Sequence, residues 1–547
     1  MLCLASHEAI RYSAWQSVKA ISYIMTTPAS SKPTYILSID FGTQSVRAII
    51  IDQHGNILAK GQQPMPAYQT TSPGFAELTA ASYWQALQQA CQQLWQVSAV
   101  PASALAAMTL TTQRGTMFCL DKDKKPLRPA IIWLDQRQAT QLPPLGWRRV
   151  LFKVVGAAAI VHRFQTRAPS NWLASNEPAI WQQTAHYVLL SGYLSWRLTG
   201  ELTDCTAAQV GYLPFNFKRQ RWASRFSWKW RALSIQPHQL PRLIAAGEPI
   251  GKLCAEAAAD LGLPAGLSLL AAGSDKACEV LGCGGLTPDI GCISYGTTAT
   301  ITTVNSRYVE PLRWLPAYPA AHGNAYTSEV MIHRGFWLVS WFKEQFGLQE
   351  RQAATTQGIE PEQLFDALLK AVPAGSMGLM LQPYWSPGIT FPGPEAKGAM
   401  IGFGDVHERA HVYRAIIEGL AYALKEGSER LQRRNSQSIQ TLRVSGGGAK
   451  SVEILQLTAN VFNLPVERPH THETSALGAA ISAMVGLGRY PDYPSAIAAM
   501  CQLPQRYLPD PVIAAQYQRL YREVYLKMYR QLQPLYHKIR DITGYPN

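Results

Sequence analysis

"TYILSIDFGTQSVRAIIIDQHGN", residues 34–56, sets an acid, a glycine and small hydroxyl residues between two runs rich in β-branched side chains. Val, Ile and Thr suit strands, whereas Gly, Thr and Ser suit tight turns with exposed amides. The stretch reads as a β-hairpin with an unusually polar turn. Residues 290–303, "IGCISYGTTATITT", repeat the design. Aligning Gly42 with Gly296 pairs Phe41 with Tyr295, Thr43 with Thr297, Gln44 with Thr298 and Ser45 with Ala299. One position breaks the symmetry, since Asp40 faces Ser294. Two such turns supply two sets of amide and hydroxyl donors able to hold a polyphosphate between two lobes, and only the first adds a carboxylate for a divalent cation.

The rest of the chain bounds what those turns serve. At 547 residues it should form two domains or more. Apolar residues at 47% against 16% charged exclude a disordered chain. No apolar run approaches the ~18 residues needed to cross a bilayer, so a soluble protein with no membrane partner is expected. Residues 1–33 lack the organisation of a secretory signal and read as a flexible leader, with Met25 as an alternative start. The nine cysteines are scattered without a CxxC pair, which argues against a disulfide framework or zinc cluster and for a cytoplasmic setting. The net charge of +14 has its densest expression in "FKRQRWASRFSWKWRA", residues 217–232. No nucleic-acid module accompanies that patch, so it reads as a solvated basic face over packed tryptophans.

Three further stretches carry chemistry. "LRVSGGGA" (442–449) runs from a strand through glycines into a helix, which allows close backbone approach and presents helix N-terminal amides to a nucleotide. "ETSALGAAISAMVGLG" (473–488) has the small-residue density of a closely packed helix, with Glu473 at its favourable N-terminal end. "LPAGLSLLAAGSDKACEVLGCGGL" (263–286) gives a strand and then Asp275 at a helix start, either an ordinary cap or, just before the second polar turn, a general base.

Together these motifs resemble the FGGY carbohydrate kinases. The resemblance rests on "IDFGTQS" (39–45), "TTQRGT" (111–116), "IIWLDQR" (131–137), "RLTGELTDCTAA" (197–208), "AAGSDKACEVLGCG" (271–284), "SYGTTA" (294–299), "VSGGGAKSVEILQLTANVF" (444–462) and "ETSALGAA" (473–480), in the family's order. It implies an α/β, actin-like ATPase fold with two ribonuclease-H-like domains around a nucleotide cleft. On that reading residues 34–285 form the sugar-binding domain, 286–510 the nucleotide-binding domain, and 511–547 a C-terminal helix.

The resemblance also implies ATP and Mg²⁺, a small sugar as the other substrate, and allows a homodimer. Asp40 would position the metal, and Asp275 would be the catalytic base. Gly42, Thr43, Gln44, Ser45 and Arg47 would cradle the nucleotide phosphates, with Thr297 and Thr298 approaching from the other lobe. Gly335, Gly446, Gly447, Gly448 and Ser451 would line the nucleotide site. Gln113, Arg114, Trp133, Asp135, Arg137, Asp275 and Lys276 would contact the sugar. Two departures matter here. Glycerol kinases carry Gln-Arg-Glu where this chain has Gln113-Arg114-Gly115, and Asp-Gln where it has Asp275-Lys276. A pentulose such as xylulose or ribulose is the expected acceptor. The alternatives are a polyol, a sugar acid to which Lys276 could bind, and a catalytically quiet ATP-binding and sugar-binding regulator.

Overall fold

The computed structural model describes residues 33–386, 388 and 391–545. All but the last residue of the expected leader lies outside them. Strands β1 (Tyr35–Phe41) and β2 (Ser45–Asp52) form the first antiparallel hairpin. With β3 (Ile57–Pro64), β4 (Leu105–Thr112), β5 (Pro249–Lys252) and β6 (Ser268–Ser274) they make a six-stranded sheet of order β5-β6-β4-β1-β2-β3. In it β1, β4 and β6 are parallel. Their nearly continuous apolar character follows from burial on both faces.

A second sheet repeats this plan. It contains β7 (Ile290–Tyr295), β8 (Ala299–Asn305), β9 (Tyr318–Pro319), β10 (Tyr326–Ile332), β11 (Thr441–Gly446), β12 (Val466–Arg468) and β13 (Gln505–Tyr507), in the order β9-β10-β8-β7-β11-β12-β13. Again the first strand, β7, pairs antiparallel with the next, β8, and parallel with a later one, β11, and an antiparallel strand closes the far edge. The hairpins differ in one detail: Phe41 pairs with Val46, whereas Tyr295 pairs with Ala299, so the second turn closes one residue earlier.

Helix α1 (Ala80–Val97) starts at Thr79, whose side chain accepts from the Ser82 N–H. It packs so closely on β3 that a Cβ on Gly61 would lie 2.0 Å from the Ala90 carbonyl oxygen. Helices α2 (Asp275–Gly282) and α3 (Thr474–Gly486) follow β6 and β12 and occupy equivalent places in the two halves. They cross almost backbone to backbone. A Cβ on Gly478 would sit 1.8 Å from the Cys278 oxygen, and one on Gly282 would sit 2.0 Å from the Thr474 oxygen. The small residues of 473–488 are thus explained by packing. Although late in the chain, α3 buries Ala476, Ala480 and Met484 against Ile36, Ile49 and Leu270 of the first sheet.

Residues 511–543 continue helically through a π-helical turn at Leu520–Tyr525 and bury Tyr517, Tyr521, Tyr525 and Met528 in the second core. In the basic segment, Trp222 and Trp230 donate to the carbonyls of Pro241 and Ala223 at 2.9 and 3.0 Å, and Trp228 packs edge-on against Phe152 and Phe164. Among the described residues no helix is long and apolar enough to cross a membrane.

Candidate active site

Asp40 and Arg47 stand opposite each other across the first hairpin, so their contact follows from strand register. Arg47 Nη1 donates to Asp40 Oδ2 at 2.9 Å, and its Nε lies 3.4 Å from Glu473, which also holds Lys60 at 2.9 Å. Asp40 is 4% exposed, and its Oδ1 has no hydrogen-bond partner. Burial pushes its carboxyl up to about 7; Arg47 opposes the shift, while Asp275 and Glu473 add to it. A buried carboxylate with an orphaned oxygen and a raised pKa fits a cation. Mg²⁺ is suited to such a place, since it takes one or two carboxylates and completes its shell with phosphate oxygens and water.

Asp275 is not the helix cap. Ser274 takes that role, accepting from the Ala277 N–H, and leaves Asp275 as the first residue of α2. Asp275 Oδ1 accepts from its neighbour's backbone, Lys276 N, at 2.7 Å, and no side chain pairs with it among the described residues. Burial raises its pKa while Arg114 and Lys276 oppose, so the carboxylate is a stronger proton acceptor than an exposed one. Lys276 departs from the expected sugar contact. Its Nζ is committed to Glu279 at 2.6 Å and to Ser294 Oγ at 2.9 Å. Glu279 also accepts from Ser294 and Ser445 hydroxyls, each at 2.7 Å. Burial alone would raise the Glu279 pKa, but Lys276 and these hydroxyls outweigh it and hold it low. The cluster ties α2 to β7 and β11 of the second sheet.

Arg114, close enough to Asp275 for their charges to interact, lines a solvent-open cavity with Gly115, Trp133, Gly211, Tyr318, Glu329 and Met331. Trp133 Nε1 donates to Thr43 Oγ1 at 2.9 Å, joining the cavity to the first polar turn. Gln113 lies outside the wall: it is buried, donates to the Tyr83 hydroxyl at 3.3 Å, and keeps Oε1 without a partner. Asp135 and Arg137 also stand apart from the cavity lining. Both Asp135 oxygens are taken up by backbone N–H groups of Ala76 and Arg137 and by the Arg137 guanidinium. Arg137 further pairs with Glu77 at 2.6 Å and stacks over Phe75 and Trp172. This buried clamp braces the 133–137 segment, unlike the substrate contact expected of it. The residue that sequence reasoning missed is Glu329, which reaches Arg114 Nη2 at 3.0 Å from β10. Its only local signal is an acid within the strand-like "YTSEVMI".

The second polar turn is held from behind. Carbonyls of Gly296 and Thr297 accept from the N–H groups of Phe336 and Trp337 at 3.1 and 3.3 Å. Gly335 packs on the turn so tightly that a Cβ would meet the Ala299 nitrogen at 2.1 Å. Gly446, with φ +81°, and Gly448 press on Tyr295, while Gly447 is exposed. Ser451 caps the helix Val452–Phe462 by accepting from the Ile454 N–H and donates to Asp366.

The model of the FGGY N-terminal domain of carbohydrate kinases matches residues 35–282, and that of the C-terminal domain matches residues 291–487. The chain belongs to the FGGY family of carbohydrate kinases. It is therefore a phosphotransferase with an alcohol group as acceptor, and its duplicated sheets are those of the actin-like ATPase fold. Among FGGY relatives, an uncharacterized sugar kinase of Escherichia coli is 28% identical, the match covering 90% of this chain and 92% of the relative. The xylulose kinase of Lactococcus lactis is 26% identical over 93% of this chain and 99% of its own. The crystal structure of a gluconate kinase from Lactobacillus acidophilus superposes with a TM-score of 0.75 at 24% identity, covering 94% of this chain and 99% of that one.

Proposed function

We propose that this FGGY kinase transfers the γ-phosphoryl group of Mg-ATP to a hydroxyl of a pentulose such as xylulose or ribulose. The observation that carries the proposal is Asp275, a carboxylate with a raised pKa, not used as a helix cap and without a side-chain partner among the described residues, close enough to Arg114 of the cavity wall and to Asp40 for their charges to interact. The Lactococcus xylulose kinase supports the pentulose; the gluconate kinase likeness is one of fold.

In this reading residues 34–285 supply the sugar side and 286–510 the nucleotide side. Asp275 accepts the proton of the attacking hydroxyl. Gly42, Thr43, Gln44, Ser45 and Arg47 hold phosphate oxygens from one side, and Thr297 and Thr298 do so from the other. Gly447 gives the nucleotide backbone access, while Gly335, Gly446, Gly448 and Ser451 fix the surfaces around it. Asp40 would hold Mg²⁺, which neutralises charge on the β- and γ-phosphate oxygens. Phosphoryl transfer depends chiefly on alignment and charge neutralisation, so positioning by the two turns accounts for much of the rate.

The test is sugar-dependent ADP release from Mg-ATP across ketopentoses, aldoses, polyols and sugar acids. The proposal expects turnover with a ketopentose; turnover confined to another class would overturn the pentulose, and ATP binding without any turnover would favour a regulator.

A further inference from the structure

The charges around the cavity bear on which acceptors it admits. Among the described residues two arginines line it, and each is already paired: Arg114 with Glu329 at 3.0 Å and Arg430 with Glu426 at 3.0 Å. Lys276, next to the base, is paired with Glu279 at 2.6 Å. All three acids are side chains of the protein, and Glu329, in β10 of the second sheet, reaches Arg114 in the turn that follows β4 of the first. His333 also lines the cavity and is neutral above its ordinary pKa of about 6.5.

We infer that the site selects an uncharged polyhydroxy acceptor over a sugar acid, and that Glu329 enforces the choice. The inference rests on the kinase reading above and concerns the same site. A substrate carboxylate is best held by the free fork of an arginine, two N–H groups to two oxygens. Here one arm of that fork, Nη2, already donates to Glu329 at 3.0 Å, and an incoming carboxylate would meet the Glu329 charge beside it. A hydroxyl meets no such conflict, because it can accept from Arg114 while donating to Glu329. The pair presents an adjacent donor and acceptor, the complement of a vicinal diol. Gly115, next to the arginine, brings no side chain, and Glu329 brings a carboxylate to Arg114 from 215 residues away. Burial alone would lower the Arg114 pKa; the Glu329 and Asp275 carboxylates outweigh it and raise it.

The test compares kcat/KM at pH 8 for D-xylulose, D-ribulose and glycerol with that for D-xylonate, D-gluconate and D-glycerate, in wild type and Glu329→Gln. The wild-type protein should favour its best neutral acceptor over its best acid at least tenfold. Glu329→Gln should lower kcat/KM for the neutral acceptor about tenfold through KM, leave KM for Mg-ATP within twofold, and shift the neutral-to-acid ratio tenfold towards the acid. A wild-type preference for a sugar acid, or a ratio in Glu329→Gln within twofold of wild type, would overturn the inference while leaving the kinase reading in place. Turnover of none of the six would refute the inference and count against the kinase reading together. Where Glu329→Gln fails to fold, the wild-type ratio still tests the preference, and the same comparison in Glu329→Asp, which keeps the charge and should keep the ratio within threefold of wild type, tests the residue.

Discussion

Among single residues, Asp204 shows how burial sets a carboxyl's behaviour away from the reacting centre. It is 1% exposed, accepts from Ser191, Gln209 and the Cys205 N–H, and still has its pKa pushed up to about 6 by burial, which those three hydrogen bonds only partly offset. A carboxyl that holds its proton more tightly when folded stabilises the fold below its unfolded pKa near 3.8, and that contribution is lost as pH rises through about 6. The difference in unfolding free energy between wild type and Asp204→Asn, followed by denaturant titration from pH 4 to 7.5, should therefore move in favour of the variant by up to ~3 kcal/mol. A difference that stays flat across that range would contradict this assignment.

At the scale of elements, the hairpins and the helix pair behave differently. A hairpin is a local object, so its strands, its turn and even the cross-strand meeting of Asp40 with Arg47 follow from alternation and turn chemistry over a dozen residues. That is why the duplicated architecture and the place of Asp40 at the first turn were legible in the sequence. The crossing of α2 and α3 was not, because Gly282 and Gly478 meet from places almost 200 residues apart; composition shows small residues but not what lies against them. The contact makes a sharp prediction. Gly478→Ala places a methyl group 1.8 Å from a carbonyl oxygen and forces the helices apart, for a loss of about 3 kcal/mol or more in unfolding free energy. Ser475→Ala, on the same helix, serves as the control for a change of composition without the crossing. Equal midpoints for the two variants would show that the crossing is not rigid.

Over the whole molecule, the site is assembled by long-range ion pairs and hydrogen bonds: Arg114 with Glu329, Arg47 with Glu473, and Lys276 with Ser294. The same physics explains which of the expected sugar contacts are already engaged within the protein. Lys276, Asp135 and Arg137 carry the right chemistry for a sugar contact, and only their actual neighbours, Glu279, Ala76 and Glu77, show that their charge is already engaged. Glu329 was hidden for the converse reason, since an acid in a strand has no meaning until its partner is known. Asp275 differs from all of these in having no side-chain partner among the described residues, and the kinase account stands on it. The most direct measurement is therefore sugar-dependent ADP release by Asp275→Asn alongside its affinity for Mg-ATP. The account predicts a loss of turnover of about 10²–10⁴-fold, the range for removal of a general base, with Mg-ATP affinity within a few-fold of wild type. Turnover near the wild-type rate would contradict it.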